Sequence, residues 1–276
     1  MKKFIIFILF LLSAGLCYLA TRPSHAPSVL PNINTNVAKS VTDKLPALPT
    51  MPTMPQSQGK HSMLASLPHP LKIFTQGYYL KDITQEKMGK GNWVTLKDMP
   101  KVMPQALIAI EDRRFYEHHG VDMDGIIRAI LVNIQADSVV EGASTLTQQL
   151  VKNNLLTDEQ SVERKIWEAG LALLVESRYS KDEILEMYLN TTYFGAGATG
   201  IKAAAGTYFG KAPQKLSLVE CATIAALPYA PSALNPKENP KGCKERRNLV
   251  LTQMGKNGFL SQAEVTKAQA EPLILD

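Results

Sequence analysis

Between Ile110 and Gly120 the chain reads IEDRRFYEHHG, with three acids, two arginines and two histidines in eleven residues. The stretch follows PQALIAI, an apolar run that belongs in a core. Three kinds of chemistry fit so much charge at the end of a buried segment. It can be a solvated helix end, a metal site, or a carboxylate whose partial burial lifts its pKa toward working pH and makes Glu111 a general base. The histidine pair is the weakest of these, because adjacent residues on a helix point about 100° apart and rarely chelate one ion together.

Two further clusters carry chemistry. In SVERKIWE, Arg164 and Lys165 stand four and three residues before Glu168, so on a helix all three side chains are neighbours. An exposed ladder of that kind contributes only a few tenths, roughly, of a kcal/mol. Ile166, Trp167, Leu171, Leu174 and Val175, however, mark much of the same helix as buried. In EGASTLTQQLVKN, Ser144, Thr145, Thr147, Gln148 and Gln149 form an uncharged surface dense in hydrogen-bonding groups, followed by Lys152 and Asn153. Such a surface suits hydroxyl- and amide-rich ligands such as sugars, with a cation for a phosphate. A Thr-rich loop running into an ordinary helix has the same composition.

These clusters need elements to hold them. From Asp98-Met-Pro100 onward the pattern predicts a mainly α domain. Ser180-x-x-Glu183, Ser217-x-x-Glu220 and Ser261-x-x-Glu264 spell capping boxes at three helix starts. Gly195, Gly197, Gly200, Gly206 and Gly210 interrupt the middle. Before it, KIFTQGYYL and NWVTL read as short β runs and predict a small β appendage. Upstream, nine prolines between Pro23 and Pro70 rule out helix and central strand, so residues 22–70 read as a flexible tether. Fully extended at ~3.1 Å per residue, it would reach on the order of 150 Å. Residues 1–21 read as a transmembrane anchor: Met1-Lys2-Lys3 precedes seventeen uncharged residues, Phe4 to Ala20, and Arg22 follows. That run approaches the ~20 residues a bilayer crossing needs. The leading lysines place the N-terminus in the cytoplasm and the rest of the chain outside.

At 276 residues and 45% hydrophobic content, the remaining segment, 71–276, can bury one substantial core. A formal charge of +5 and a pI near 9.0 favour anionic partners. Three cysteines without Cys-x-x-Cys spacing exclude a disulfide scaffold and a cysteine zinc site. Cys221 and Cys243 remain open to pairing or to standing free.

Taken together, the clusters resemble a family. Glu111-Asp112-x-x-Phe115-x-x-His118-x-Gly120 is similar to the first signature of the family 51 glycosyltransferases, the peptidoglycan polymerases. Gly142-x-Ser144-Thr145-x-Thr147-Gln148-Gln149 resembles the second, and Arg164-Lys165-x-x-Glu168 the third. Lys181-x-x-Ile184-Leu185-x-x-Tyr188-Leu189-Asn190 resembles the fourth, and Arg246-Arg247-Asn248-x-Val250-Leu251 the fifth. All five stand in the family's order, and the resemblance covers roughly residues 75–260. The chain ends soon after, so the expected protein is a monofunctional transglycosylase without a transpeptidase domain. Its ~50-residue tether is longer than the family's usual connection.

The resemblance implies a lysozyme-like, two-lobed helical domain that polymerises lipid II into β-1,4 glycan strands with inversion and release of polyprenyl pyrophosphate. It implies Glu111 as general base, with Lys152, Arg164 and Lys165 as a pyrophosphate clamp. Glu168, the second essential carboxylate, would orient those cations or hold a divalent ion. Ser144, Thr145, Gln148, Gln149 and Asn153 would position sugar and phosphate oxygens, while Asp112, Phe115 and His118 shape the cleft. No cofactor is obligatory; Mg2+ or another divalent cation is the optional one. The expected partners are lipid II, the growing glycan, membrane lipids met by the apolar segment GIIRAILVNI, and cell-wall synthesis or division proteins, with no nucleic acid. Two rivals stand beside this reading: a lytic lysozyme-like enzyme acting on finished peptidoglycan, which has little need for three clamp cations, and a non-catalytic membrane-tethered scaffold.

Overall fold

The computed structural model describes residues 69–136, 142–157 and 161–276. The expected anchor and nearly all of the expected tether lie outside the described residues. No helix among the described residues is long and apolar enough to cross a membrane.

The described residues form eleven α-helices: α1 (His69–Tyr78), α2 (Leu80–Met88), α3 (Val102–Glu111), α4 (Met123–Ala136), α5 (Leu146–Leu155), α6 (Val162–Arg178), α7 (Lys181–Thr191), α8 (Ile201–Phe209), α9 (Leu218–Ala226), α10 (Pro240–Lys256) and α11 (Gln262–Ala270). The three capping boxes form as read, with Ser180, Ser217 and Ser261 each accepting the backbone N–H of its glutamate partner. A fourth box opens α5, where Thr145 pairs with Gln148; its N3 residue is an amide, and a search for acids passes over it.

Helix α9 is buried on every side from Val219 to Ala226, so it needs partners all round. It packs against α3 and α10, and α11 closes over α10 and α9. On the other side, α6 lies against α5 and α1, and α7 against α5 and α2. One core cluster runs through all of these, from Ile73 to Ala268. Helix α4 contributes nothing to it. Only Gly125 and Ala129 of α4 are buried, while Met123, Ile127, Ile130, Leu131 and Ile134 are exposed.

The expected β appendage is absent: the described residues contain no strand, only two isolated bridges. KIFTQGYYL has β-favouring residue types, but its buried positions Ile73, Gly77 and Leu80 are spaced four and three apart, and buried Thr84 follows four residues on, which is a helical spacing. It ends α1 and begins α2. Gly77 brings α1 close to α6, since a Cβ there would sit 3.2–3.3 Å from side-chain atoms of Leu174 and Leu171. NWVTL is extended between two 3-10 turns, and its strand-like hydrogen bonds go to a side chain. Asn190 on α7 accepts from Val94 N–H (2.8 Å) and donates to Val94 C=O (2.8 Å), as a neighbouring strand would.

Cys221 and Cys243 are both free and buried, and burial pushes their thiols up to about 12 and about 11. Arg247, fully buried, donates to the carbonyls of Gln269 and Glu271 and so clasps the end of α11.

Candidate active site

Helix α3 ends on Glu111, and the next residue turns away at φ −158°. The Asp112 carboxylate then accepts the backbone N–H of Leu146 (2.9 Å), the first residue of α5. An acid at a helix N-terminus is favourable, because it meets unpaired N–H groups and the positive end of the helix dipole. The C-terminus of α3 is thereby docked on the start of α5. Asp112 also holds His118 Nε2 at 3.0 Å, and both side chains are buried.

The loop after Asp112 is fastened internally. Phe115 is fully buried beneath the Lys181 ammonium, 4.5 Å from its ring centroid. Arg114 pairs with Glu117, Asp122 and Asp124. Gly120 adopts φ +87°, and a Cβ there would lie 2.8 Å from the backbone of Ala172 on α6. Its carbonyl accepts the Thr145 hydroxyl at 2.6 Å. Most of the charge in IEDRRFYEHHG therefore builds the loop. Glu111 is the exception.

Glu111 is half-buried. Gln149 Nε2 donates to its Oε2 at 2.9 Å, and the Tyr188 hydroxyl donates to Gln149 Oε1 at 2.8 Å. Burial raises the Glu111 pKa above its ordinary 4.5, against the opposing effects of the Gln149 bond, Arg246 and Lys152; Asp112 adds to the rise. A carboxyl group shifted in that direction moves toward the range in which a general base works.

The second carboxylate lies on α6. Glu168 is 1% exposed, with Oε1 3.0 Å from Arg164 Nε and Oε2 2.6 Å from Lys165 Nζ. Lys165 also donates to Ser144 Oγ at 3.0 Å. The i,i+3 and i,i+4 spacing thus produces a buried acid carrying two cations, rather than a solvated ladder. Each Glu168 oxygen thus lies beside one cation. No group of three His, Cys, Asp or Glu side chains able to hold a metal occurs among the described residues.

Helix α5 joins the two centres. Its first turn and the residues just before it reach α3 through Leu146 and Gln149. They reach α6 through Ser144 and through Thr147, whose hydroxyl donates to Glu176 at 2.6 Å. Thr145 and Gln148 spend their side chains on the capping box. Lys152, three residues after Gln149, acts on Glu111, and Asn153 is exposed. Two residues the motif reading quoted but did not assign also belong here: Tyr188, and Arg246, whose guanidinium stacks 4.1 Å from the Tyr229 centroid and acts on Glu111. A cavity of about 480 Å3 lies apart from this site, lined by Trp93, Lys202 and Lys211 among others. Both of its lysines are committed, Lys202 to Gly91 C=O and Lys211 to Glu220.

The sequence of residues 76–255 matches the family model "Transglycosylase". Penicillin-binding protein 1A of Rickettsia conorii is 46% identical over 186 residues, covering 66% of this chain and 24% of its own. Penicillin-binding protein 1A/1B of Bacillus subtilis is 44% identical over 190 residues, covering 68% and 21%. The crystal structure of penicillin-binding protein 1A from Haemophilus influenzae overlaps 66% of this chain and 18% of its own at 28% identity, with a TM-score of 0.40, too low to bear on the fold. The matched segment is thus about a quarter or less of the length of these relatives. The chain belongs to the transglycosylase family, with a domain homologous to the glycosyltransferase domain of class A penicillin-binding proteins.

Proposed function

We propose that the domain polymerises lipid II, joining its disaccharide units through β-1,4 bonds with inversion. The Glu111 carboxylate takes the proton of the incoming 4-hydroxyl as that oxygen attacks the anomeric carbon of the donor sugar. The bond from that carbon to the α-linked pyrophosphate breaks, and polyprenyl pyrophosphate leaves with the electron pair. Arg164, Lys165 and Lys152 meet the charge that develops on it, in a site where aimed cations contribute a large share of catalysis. Glu168 holds Arg164 and Lys165 in place, and Ser144, Gln149 and Asn153 supply further groups to sugar and phosphate oxygens. Asp112, Phe115 and His118, with Thr145 and Gln148, act by fixing the backbone around the cleft. Arg246 is a further cation at the base, and its buried Nε has no hydrogen-bond partner among the described residues.

The observation that carries this reading is the α5 junction. It binds a carboxyl group of raised pKa on one side and a buried acid holding two cations on the other. An acid that only hydrolyses glycan has no use for the second half.

The same reading accounts for α4. Its exposed residues Ile127, Ile130, Leu131 and Ile134 give an apolar face of the kind that enters a bilayer interface, where the lipid II pyrophosphate resides. Standing outside the main core, α4 would belong to the smaller lobe of a two-lobed, lysozyme-like domain. The apolar run Phe4–Ala20 would anchor the chain in the inner membrane with the domain on the periplasmic side, and the long tether would let it meet cell-wall synthesis or division proteins.

The test uses the intact protein in detergent with lipid II. Glycan strands on a gel, absent with Glu111→Gln of unchanged near-UV circular dichroism, are the expected result. Soluble muropeptides released from purified sacculi, with no glycan made from lipid II, would overturn it in favour of a lytic enzyme.

A further inference from the structure

Tyr188 lies at the end of a side-chain chain that begins on the base. Its hydroxyl donates to Gln149 Oε1 (2.8 Å), and Gln149 Nε2 donates to Glu111 Oε2 (2.9 Å). An amide has two faces of opposite character: oxygen accepts and nitrogen donates. Turned over, Gln149 would present its oxygen lone pairs to the carboxylate. A phenol donating to Oε1 keeps the NH2 group toward Glu111. Tyr188 suits that task because it is fully buried on α7, within the core, so its ring cannot swing away. It is also a persistent donor, since burial holds its hydroxyl well above the usual phenol range, with the Glu111 charge as the next cause.

We infer that Tyr188 is a positioning residue for the proposed base, locking the Gln149 amide so that it donates to Glu111 and sets the pH range in which that carboxylate is ionised. The inference rests on Glu111 being the base, but its physical content does not depend on the reaction. The charged and titratable groups facing Glu111 are Arg246 from α10, Lys152 from α5, Asp112 beside it and Tyr188 from α7. Arg246, Lys152 and the Gln149 bond favour the carboxylate, whereas burial and Asp112 oppose it. Tyr188→Phe leaves the cations and the burial in place and removes the anchor of the amide, together with the hydroxyl's contact to Thr192. With one neutral hydrogen bond weakened or reversed, Glu111 should titrate about half to one pH unit higher.

The measurement is the Glu111 carboxyl titration by 13C NMR in the intact, glutamate-labelled protein in detergent, with the signal assigned by its loss in Glu111→Gln. Beside it runs the pH profile of lipid II polymerisation. Tyr188→Phe is expected to raise the titration, move the acidic limb of kcat/KM by the same amount, and keep the high-pH plateau within a few-fold of wild type. In a Gln149→Leu background it should add nothing. Site-specific 3-fluorotyrosine at position 188, a stronger donor that preserves the fold should the phenylalanine variant fail to, is expected to shift Glu111 downward. An unmoved titration in both Tyr188 variants, or a shift that persists without Gln149, would refute the lock. If the wild-type protein makes no glycan, the polymerase reading falls, and the NMR titration still decides the role of Tyr188.

Discussion

Glu168→Gln keeps the volume of a side chain that is 1% exposed and removes the charge that two cations share. The two pairs are not equal. Lys165 is 51% exposed, so water recovers most of its solvation and its pair with Glu168 contributes about 0.5 kcal/mol. Arg164 is 15% exposed and loses the carboxylate 3.0 Å from its Nε, which leaves a largely buried charge uncompensated at a cost of about 1.5–3 kcal/mol. The sum is a destabilisation of roughly 2–3.5 kcal/mol, or a fall in Tm of about 5–12 °C for a domain of this size. Thermal unfolding of the intact chain can be followed at Trp167, which adjoins Glu168 and stands edge-on to Phe74 at 5.6 Å. Turnover of lipid II by the folded fraction should drop about 10²–10³-fold, because Arg164 and Lys165 lose the acid that aims them. A Tm within ~1 °C of wild type would show that the buried acid does not hold its cations in the folded chain. Full turnover by folded Glu168→Gln would show that the clamp does not depend on them.

Three further outcomes follow from individual residues. Glu111 has a folded pKa raised above 4.5, so the native domain keeps a proton through a window where the unfolded chain has lost it, and stability falls as pH rises through that window. Glu111→Gln should therefore be more stable than wild type at pH 7, with the advantage vanishing below about pH 4.5, as urea titrations at the two pH values would record. Gly120→Ala combines φ +87° with a Cβ 2.8 Å from the Ala172 backbone, so it should cost at least ~2 kcal/mol and strain the Thr145 contact, read by denaturant midpoint. Cys221 and Cys243, raised to about 12 and about 11, should resist iodoacetamide at pH 8 in a Cys17→Ser background and label fully in guanidinium.

The legible parts of the sequence were those written in local spacing. Capping boxes are four-residue patterns, and the two cations of Glu168 lie within one helical turn of it, so both could be read without knowing the fold. The β appendage was misread because Ile, Phe and Tyr favour strands on a half-buried sheet, while here they face other helices and Asn190 takes the place of a paired strand. Asp112 and His118 stood in a charged run for which a solvated helix end was one of three readings, and only the docking of α5 on α3 shows why both are buried. Tyr188 and Arg246 lie 77 and 135 positions from Glu111 in the numbering. Nothing local joins them to it; the family pattern brought them into view, and packing supplied the contact.

The α5 junction bears on how the site moves. A base and a clamp carried on separate segments would drift independently, and their separation would accumulate the thermal motion of every piece between them. Here both are tied to residues 144–149, so a displacement of that turn carries the two together and leaves their spacing nearly constant. An enzyme of the proposed kind, repeating one bond-forming geometry along a lengthening strand, needs that constancy more than it needs stillness. Substitutions that loosen this turn should therefore broaden the distribution of glycan lengths before they lower the mean rate.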